Sequence, residues 1–316
     1  GTLPPGVLCA SEIDAGGEVL APGFIDMHTH NDFLLLGDGA GVSKLRQGVT
    51  TILVGQCGIS AAPIREERVP LLDAYTGFIR AGVTPEWNWR SFAEYLDVLD
   101  GLDLGLNVGS FVGHGTIRLN VLGFENRLPG PDELREMREM ARAALEEGAF
   151  GMTSGLIYPP GVYSTSGEVE EIARGLTERR GLYLSHMRNE SSGVVESVRE
   201  TIAVAERAGI PAQVLHHKAT GRANHGKVRE TLALLEEARE RGVDMTVDQY
   251  PSTAGSSTLR SILPPWVNEG GLEKLMERLR DPVLRERIRQ EILTTDGWEN
   301  MLMSCGGPGG VLVAYT

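Results

Sequence analysis

The chain has 316 residues, 41% of them hydrophobic and 23% charged, with a formal net charge of −13. That balance excludes a disordered chain or a fibre. The acidity excludes a general nucleic-acid binder, which needs a basic face for phosphates, and docking on anionic lipid. A small-molecule substrate stays open, because charge inside a cleft can oppose the global sign.

Taken in chain order, short β-rich apolar runs recur: "GFIDMH", "TTILVGQC", "GLNVGSFVGH", "FGMTSGL", "LYLSHM", "PAQVLHH" and "VDMTVDQY". They read as strands buried on both faces, as in a parallel sheet under helices. Amphipathic helices are predicted between them. "PDELREMREMARAALEEGA" sets Leu134, Met137, Ala141 and Leu145 on one stripe, with acidic residues at its start. "GVVESVRETIAVAERAG" and "GKVRETLALLEEARERG" follow the same design, each with Gly after its last turn.

Two insertions interrupt this rhythm, at about 63–100 and about 251–298. The first carries helical patches such as "SFAEYLDVL"; the second opens on the loop "PSTAGSSTLRSILPPW" and continues into charged helices. Long irregular segments inside a compact domain are often lids. The run "NMLMSC" is a candidate for one more strand. Seven strands alternating with helices suggest an α/β fold of the (β/α)8 TIM-barrel kind with one strand unaccounted for, or else an open doubly wound sheet.

The three cysteines, Cys9, Cys57 and Cys305, do not form a disulfide framework. They point to a reducing, cytoplasmic setting. No apolar run approaches the roughly 20 residues of a membrane helix, and no signal-peptide pattern opens the chain.

In a barrel, chemistry gathers at the carboxyl ends of many strands. Here the ends carry His28 and His30, Cys57, His114, His186, the pair His216 and His217, and Asp248 with Tyr250. Of seven histidines only His225 lies elsewhere. His28 and His30 share one face by strand alternation and can lean on one ion. One of His216 and His217 must point away from the barrel axis; the ligand is His216, a choice that rests partly on the resemblance given below. His114, beside two glycines, suits a structural or substrate role as well as ligation. A thiolate at Cys57 among imidazoles suits Zn2+ far better than Mg2+ or Ca2+. Four histidines and one thiolate exceed the three protein ligands usual for a catalytic zinc, so the set can hold two metals, or one tight metal with a weak neighbour. Lys218 follows a ligand by two and can serve a substrate carboxylate, and Tyr250 can donate a hydrogen bond nearby. Arg188 and Glu190 flank His186 as an ion pair behind the ligands or as substrate contacts.

The segments "VLAPGFIDMHTHND", "VGQCGIS", "GHGTIR", "GMTSGLIYPPGVYST", "LSHMRNE", "HHKATG" and "DQYP" resemble the N-acyl-D-amino-acid deacylases, the D-aminoacylase branch of the amidohydrolase superfamily. The resemblance implies a (β/α)8 barrel with a small β domain built from both chain ends. It implies zinc held tightly at Cys57, His186 and His216. A second, weaker site would be completed by His28 and His30 and bridged by Cys57. It places Lys218 and Tyr250 at the substrate carboxylate. The activity implied is zinc-dependent hydrolysis of the amide bond of N-acyl-D-amino acids. The runner-up is a cyclic-amide hydrolase of the dihydroorotase or hydantoinase type; those enzymes commonly bridge their metals with a carboxylated Lys at strand four, where "FGMTSGL" has none.

The family also has a catalytic Asp in a Ser-Asp-Gly context on strand eight, and a downstream Arg. Neither is found in these residues, so the catalytic residue is unassigned; Asp296, in "TTDGW", is not accepted as its substitute. The expectation is a fragment, with residues 1–21 a remnant of the small β domain and residues 22–316 an incomplete barrel lacking strand eight. As it stands, such a fragment could bind metal without turnover.

Overall fold

The computed structural model describes residues 6, 10, 11, 13–294 and 297–314; Cys9 and Asp296 lie outside them. Every β-rich run forms a short strand: β1 (Phe24–Asp26), β2 (Val49–Val54), β3 (Asn107–Ser110), β4 (Val112–Gly113), β5 (Gly151–Gly155), β6 (Leu182–His186), β7 (Ala212–Val214) and β8 (Met245–Val247). All ladders are parallel and neighbours follow chain order, β1-β2-β3 and then β4-β5-β6-β7-β8. β3 and β4 are two halves of one expected strand, parted at Phe111. The Phe111 amide still donates to Val54 O at 3.0 Å, and the Phe150 amide to Ser110 O at 3.0 Å, so the backbone bonding runs from one sheet into the next.

Helices join the strands, as parallel pairing requires. In Pro131–Glu146, Met137, Ala141 and Leu145 are buried and Leu134 is partly buried against them, so the apolar stripe is the face that packs. Pro at its start and Asp132 and Glu133 in its first turn suit the free amides and the dipole there. Helix Val194–Ala208 stops at Gly209, whose φ of +68° needs no Cβ. In the first insertion, helix Phe92–Asp100 begins on a capping box between Ser91 and Glu94. The second insertion has its own small core of Val267, Leu275 and Ile288.

One expectation fails. "NMLMSC" is not a strand: Met301–Ser304 is a helical turn, and the Asn300 side chain accepts from the Met303 amide at its start. An Asn cap favours the turn where no neighbouring strand offers a ladder. Among the described residues β1 and β8 each keep one unpaired edge, and Phe24, Ile25 and Val247 on them are exposed. The ends of these same two strands nevertheless meet, through His28 and Asp248. Among the described residues no helix is long and apolar enough to cross a membrane.

Candidate metal centre

The cluster is built around a strained loop. After β2 the chain turns through Gly55 (φ +78°), Cys57 (φ +53°) and Gly58 (φ +77°). A left-handed conformation costs little at the glycines but carries strain at Cys57, and the surroundings hold it there. The Gly55 amide donates to Asp32 Oδ1 (2.8 Å), Thr153 Oγ1 donates to Gly55 O (2.6 Å), and the Gly58 amide donates to Thr153 Oγ1 (2.9 Å). Gln56 Nε2 donates to Met27 O at 2.9 Å, tying the loop to the segment that carries the first histidines. A Cβ on Gly58 would stand 2.5 Å from the Gly155 nitrogen, so β5 presses directly on the turn.

The Cys57 sulfur, 4% exposed as a residue, faces three imidazoles. It lies 3.4 Å from His28 Nε2, 3.4 Å from His186 Nδ1 and 3.5 Å from His216 Nε2. His186 Nδ1 and His216 Nε2 are 3.0 Å apart. Two overlapping sets of donor atoms result: Cys57 with His186 and His216, all buried, and Cys57 with His28 and His30, the histidines half-buried. A tetrahedral zinc with ordinary Zn–S and Zn–N bonds separates its sulfur and nitrogen ligands by about 3.6 Å and its nitrogens by about 3.3 Å. The observed spacings fit that requirement, the nitrogen pair slightly tight. His30 Nδ1 is buried with no hydrogen-bond partner, as a donor atom reserved for an ion would be.

His28 and His30 meet at 5.6 Å between ring centroids, yet both lie past β1, which ends at Asp26. Their convergence comes from the outgoing turn rather than from strand alternation. The same holds for His216, which follows β7 with φ +36°. His217 turns away and pairs with Thr231 Oγ1 at 2.8 Å. His114 stands apart from both donor sets. It opens helix His114–Leu122 and is fully buried, with Nε2 3.2 Å from Glu168 Oε1, while Arg118 Nη1 donates to Glu168 Oε2 at 2.5 Å.

The carboxylates around the ring divide the work. Asp248 Oδ2 lies 3.3 Å from His28 Nδ1 and accepts from Gln213 Nε2 at 2.7 Å, while its other oxygen accepts the His216 amide. Glu190, buried, lies 2.8 Å from His216 Nδ1 and 2.6 Å from Lys218 Nζ. Arg188 pairs instead with Glu200 at 2.9 Å. Lys218 therefore sits within the cluster, with Tyr250's ring centroid 5.6 Å from its Nζ. Tyr158 packs edge-on against His186 at 4.9 Å between centroids.

Burial alone would raise the Cys57 thiol, but the positive charge at His28 and His186 and the hydrogen bonds from His186 and His216 carry it well below its ordinary value. Burial likewise pulls His28 and His216 down. The Cys57 thiolate and Asp248 push His28 to about 10, and Glu190 with Cys57 pushes His216 to about 9. His186 is lowered, chiefly by burial. A buried thiolate balanced by imidazoles is the electrostatic state a cation replaces on binding.

Sequence position marked Asp248 as a strand end without giving it a task, and left Glu190 between two tasks; the structure gives both to histidines. Asp32 and Tyr158 had no local signal. Asp32 works through its carboxylate on a loop 23 residues away, and Tyr158 reaches the ring through a turn after β5.

Parallel strands of an α/β fold thus deliver sulfur and imidazole donors to a common point, the arrangement of a metal centre. Residues 11–288 match the model of the amidohydrolase family, and the chain belongs to that family. It is 38% identical over 250 residues to a D-aminoacylase of Alcaligenes xylosoxydans xylosoxydans, covering 79% of this chain and 50% of that one. A crystal structure of N-acyl-D-glutamate deacylase from Bordetella bronchiseptica, complexed with zinc and a phosphonate inhibitor, superposes with TM-score 0.66 at 38% identity, over 73% of this chain and 48% of that one. A D-aminoacylase structure described as having a binuclear metal centre gives TM-score 0.69 at 32% identity, over 85% and 58% of the two chains. The chain spans about half the length of the curated relatives it matches.

Proposed function

We propose that the chain carries the zinc centre of an enzyme that hydrolyses the amide bond of N-acyl-D-amino acids. The observation that carries this reading is the convergence of the Cys57 sulfur with His186 and His216 inside 3.5 Å. Those three residues would hold the tight zinc, and His28 and His30 would complete a weaker second site that shares Cys57. The relatives support the substrate class: they are D-aminoacylases and N-acyl-D-glutamate deacylases.

Zinc, when bound, supplies Lewis acidity to the amide carbonyl and activates water near neutral pH. The residues of the chain do the positioning. Asp248 holds His28, Glu190 backs His216, and the buried Thr153 and Asp32 fix the turn that aims Cys57. Lys218, with Tyr250 beside it, is the positive charge available to a substrate α-carboxylate.

The parallel ladder is read as seven strands of a (β/α)8 barrel, since β3 and β4 together make one. The open edges of β1 and β8, with exposed Phe24, Ile25 and Val247, are where an eighth strand would pair. Residues 1–21 would then belong to a small β domain, and 22–316 to the barrel with its two insertions.

The test is release of free amine by the zinc-loaded enzyme from paired N-acetyl-D- and N-acetyl-L-amino acids. Cleavage of the D-series alone is expected. Cleavage of the L-series alone, or opening of hydantoin or dihydroorotate rings without deacylation, would overturn the proposal.

A further inference from the structure

We infer that Glu190 is a positioning residue that sets the His216 tautomer for metal binding and keeps Lys218 within reach of the same centre. This rests on the zinc reading above. Glu190 is 4% exposed, and three basic groups face its carboxylate. His216 Nδ1 is 2.8 Å from Oε1, Lys218 Nζ is 2.6 Å from Oε2, and His186 Nε2 is 4.0 Å from Oε2.

Two arrangements suit these contacts: Lys218 Nζ donating to His216 Nδ1, or the Nδ1 proton facing Glu190 Oε1; the second is the one inferred. Lysine offers donors only, so the Nδ1 of His216, 2.9 Å from Lys218 Nζ, cannot take a proton from the lysine while it donates to Glu190. With the proton on Nδ1, facing Oε1 at 2.8 Å, Nε2 would offer its lone pair to an ion shared with the Cys57 sulfur 3.5 Å away. Lys218 is then held by Oε2 and by His216 O at 3.1 Å. One carboxylate thus orients a ligand and tethers the candidate substrate cation at the same time.

The backbone around Glu190 is fixed to match. Its amide donates to Glu299 Oε2 at 2.7 Å and its carbonyl accepts the Thr220 amide at 2.6 Å. Thr220 lies two residues beyond Lys218, so the loops after β6 and β7 are clasped at the residue that joins their side chains. Arg188, the other charged neighbour in "SHMRNE", is committed to Glu200 and does not compete.

The experiment measures zinc affinity of the protein by competition with a chromogenic chelator for wild type, Glu190→Gln and Glu190→Asp. Thermal midpoints of the metal-free forms are recorded alongside. Partners of metal-bound histidines typically contribute about 10- to 100-fold in affinity. Glu190→Gln, which loses the charge, is expected to weaken zinc by that factor, with Glu190→Asp recovering part of it. Unchanged zinc affinity in Glu190→Gln overturns the inference while leaving the zinc reading intact. If Glu190→Gln does not fold, the 15N shifts of His216 in zinc-loaded wild type decide, and zinc on Nδ1 with the proton on Nε2 overturns the inference. A wild-type protein that binds no zinc overturns the zinc reading itself, and this inference with it.

Discussion

His28 Nδ1 lies 3.3 Å from Asp248 Oδ2, across 220 residues of sequence. This contact joins the end of β1 to the end of β8, the two strands with open edges. It therefore links closure of the fold to the orientation of one donor to Cys57. Asp248→Asn keeps the volume and the hydrogen bond to Gln213 within reach but removes the charge that faces His28. We expect the metal-free protein to lose about 1–2 kcal/mol in urea unfolding, the scale of a partly exposed hydrogen bond to a charged group. The second metal equivalent is expected to bind more weakly than in wild type in the same preparation, read by equilibrium dialysis.

Gly58 tests the strained turn. Its φ is +77°, and an added Cβ would sit 2.5 Å from backbone nitrogen of Gly155, an atom that cannot move aside cheaply. Gly58→Ala is expected to cost about 3 kcal/mol, from left-handed strain together with overpacking. Because the displaced backbone carries Cys57, zinc affinity should fall along with the urea midpoint. A variant with normal stability and normal affinity would show that the turn has slack.

The buried trio of His114, Arg118 and Glu168 offers a stability test away from the two donor sets. Burial alone would raise Glu168, but the hydrogen bond and charge of His114, and then those of Arg118, hold it below its ordinary 4.5. A carboxylate depressed in the folded state contributes stability above its unfolded value and loses it as pH falls through the folded one. The urea midpoint of metal-free wild type should therefore drop as pH is lowered from about 6 to about 3, and Glu168→Gln should flatten that part of the curve. Glu168→Gln also leaves Arg118 buried without its anion, at an expected cost of roughly 3–5 kcal/mol near neutral pH.

The strands, the helix stripe on Pro131–Glu146 and the strand-end positions of the donors were legible because short apolar runs and 3.6-residue periodicity are local signals. The split at Phe111 was not, since it depends on where neighbouring strands part. "NMLMSC" misled because a short apolar run fits strand and helix alike, and Asn300 decides between them. His216 and His217 were separated for a reason other than the pleat: β7 stops at Val214 and the left-handed backbone at His216 sends the rings apart. Pairing of charges was least legible. Glu190 stands two residues from Arg188 but bonds to His216 and Lys218, a choice made by tertiary geometry alone.

The central claim is that the Cys57 sulfur and the imidazoles of His186 and His216 bind one ion together. Titrating the metal-free protein with Co2+ while recording its near-ultraviolet and visible absorption tests this most directly, because a thiolate ligand adds a sulfur-to-cobalt charge-transfer band that imidazoles do not. The account predicts that band at the first equivalent in wild type and its loss in Cys57→Ala. Cobalt bound without the band, or with the band intact in Cys57→Ala, would contradict it.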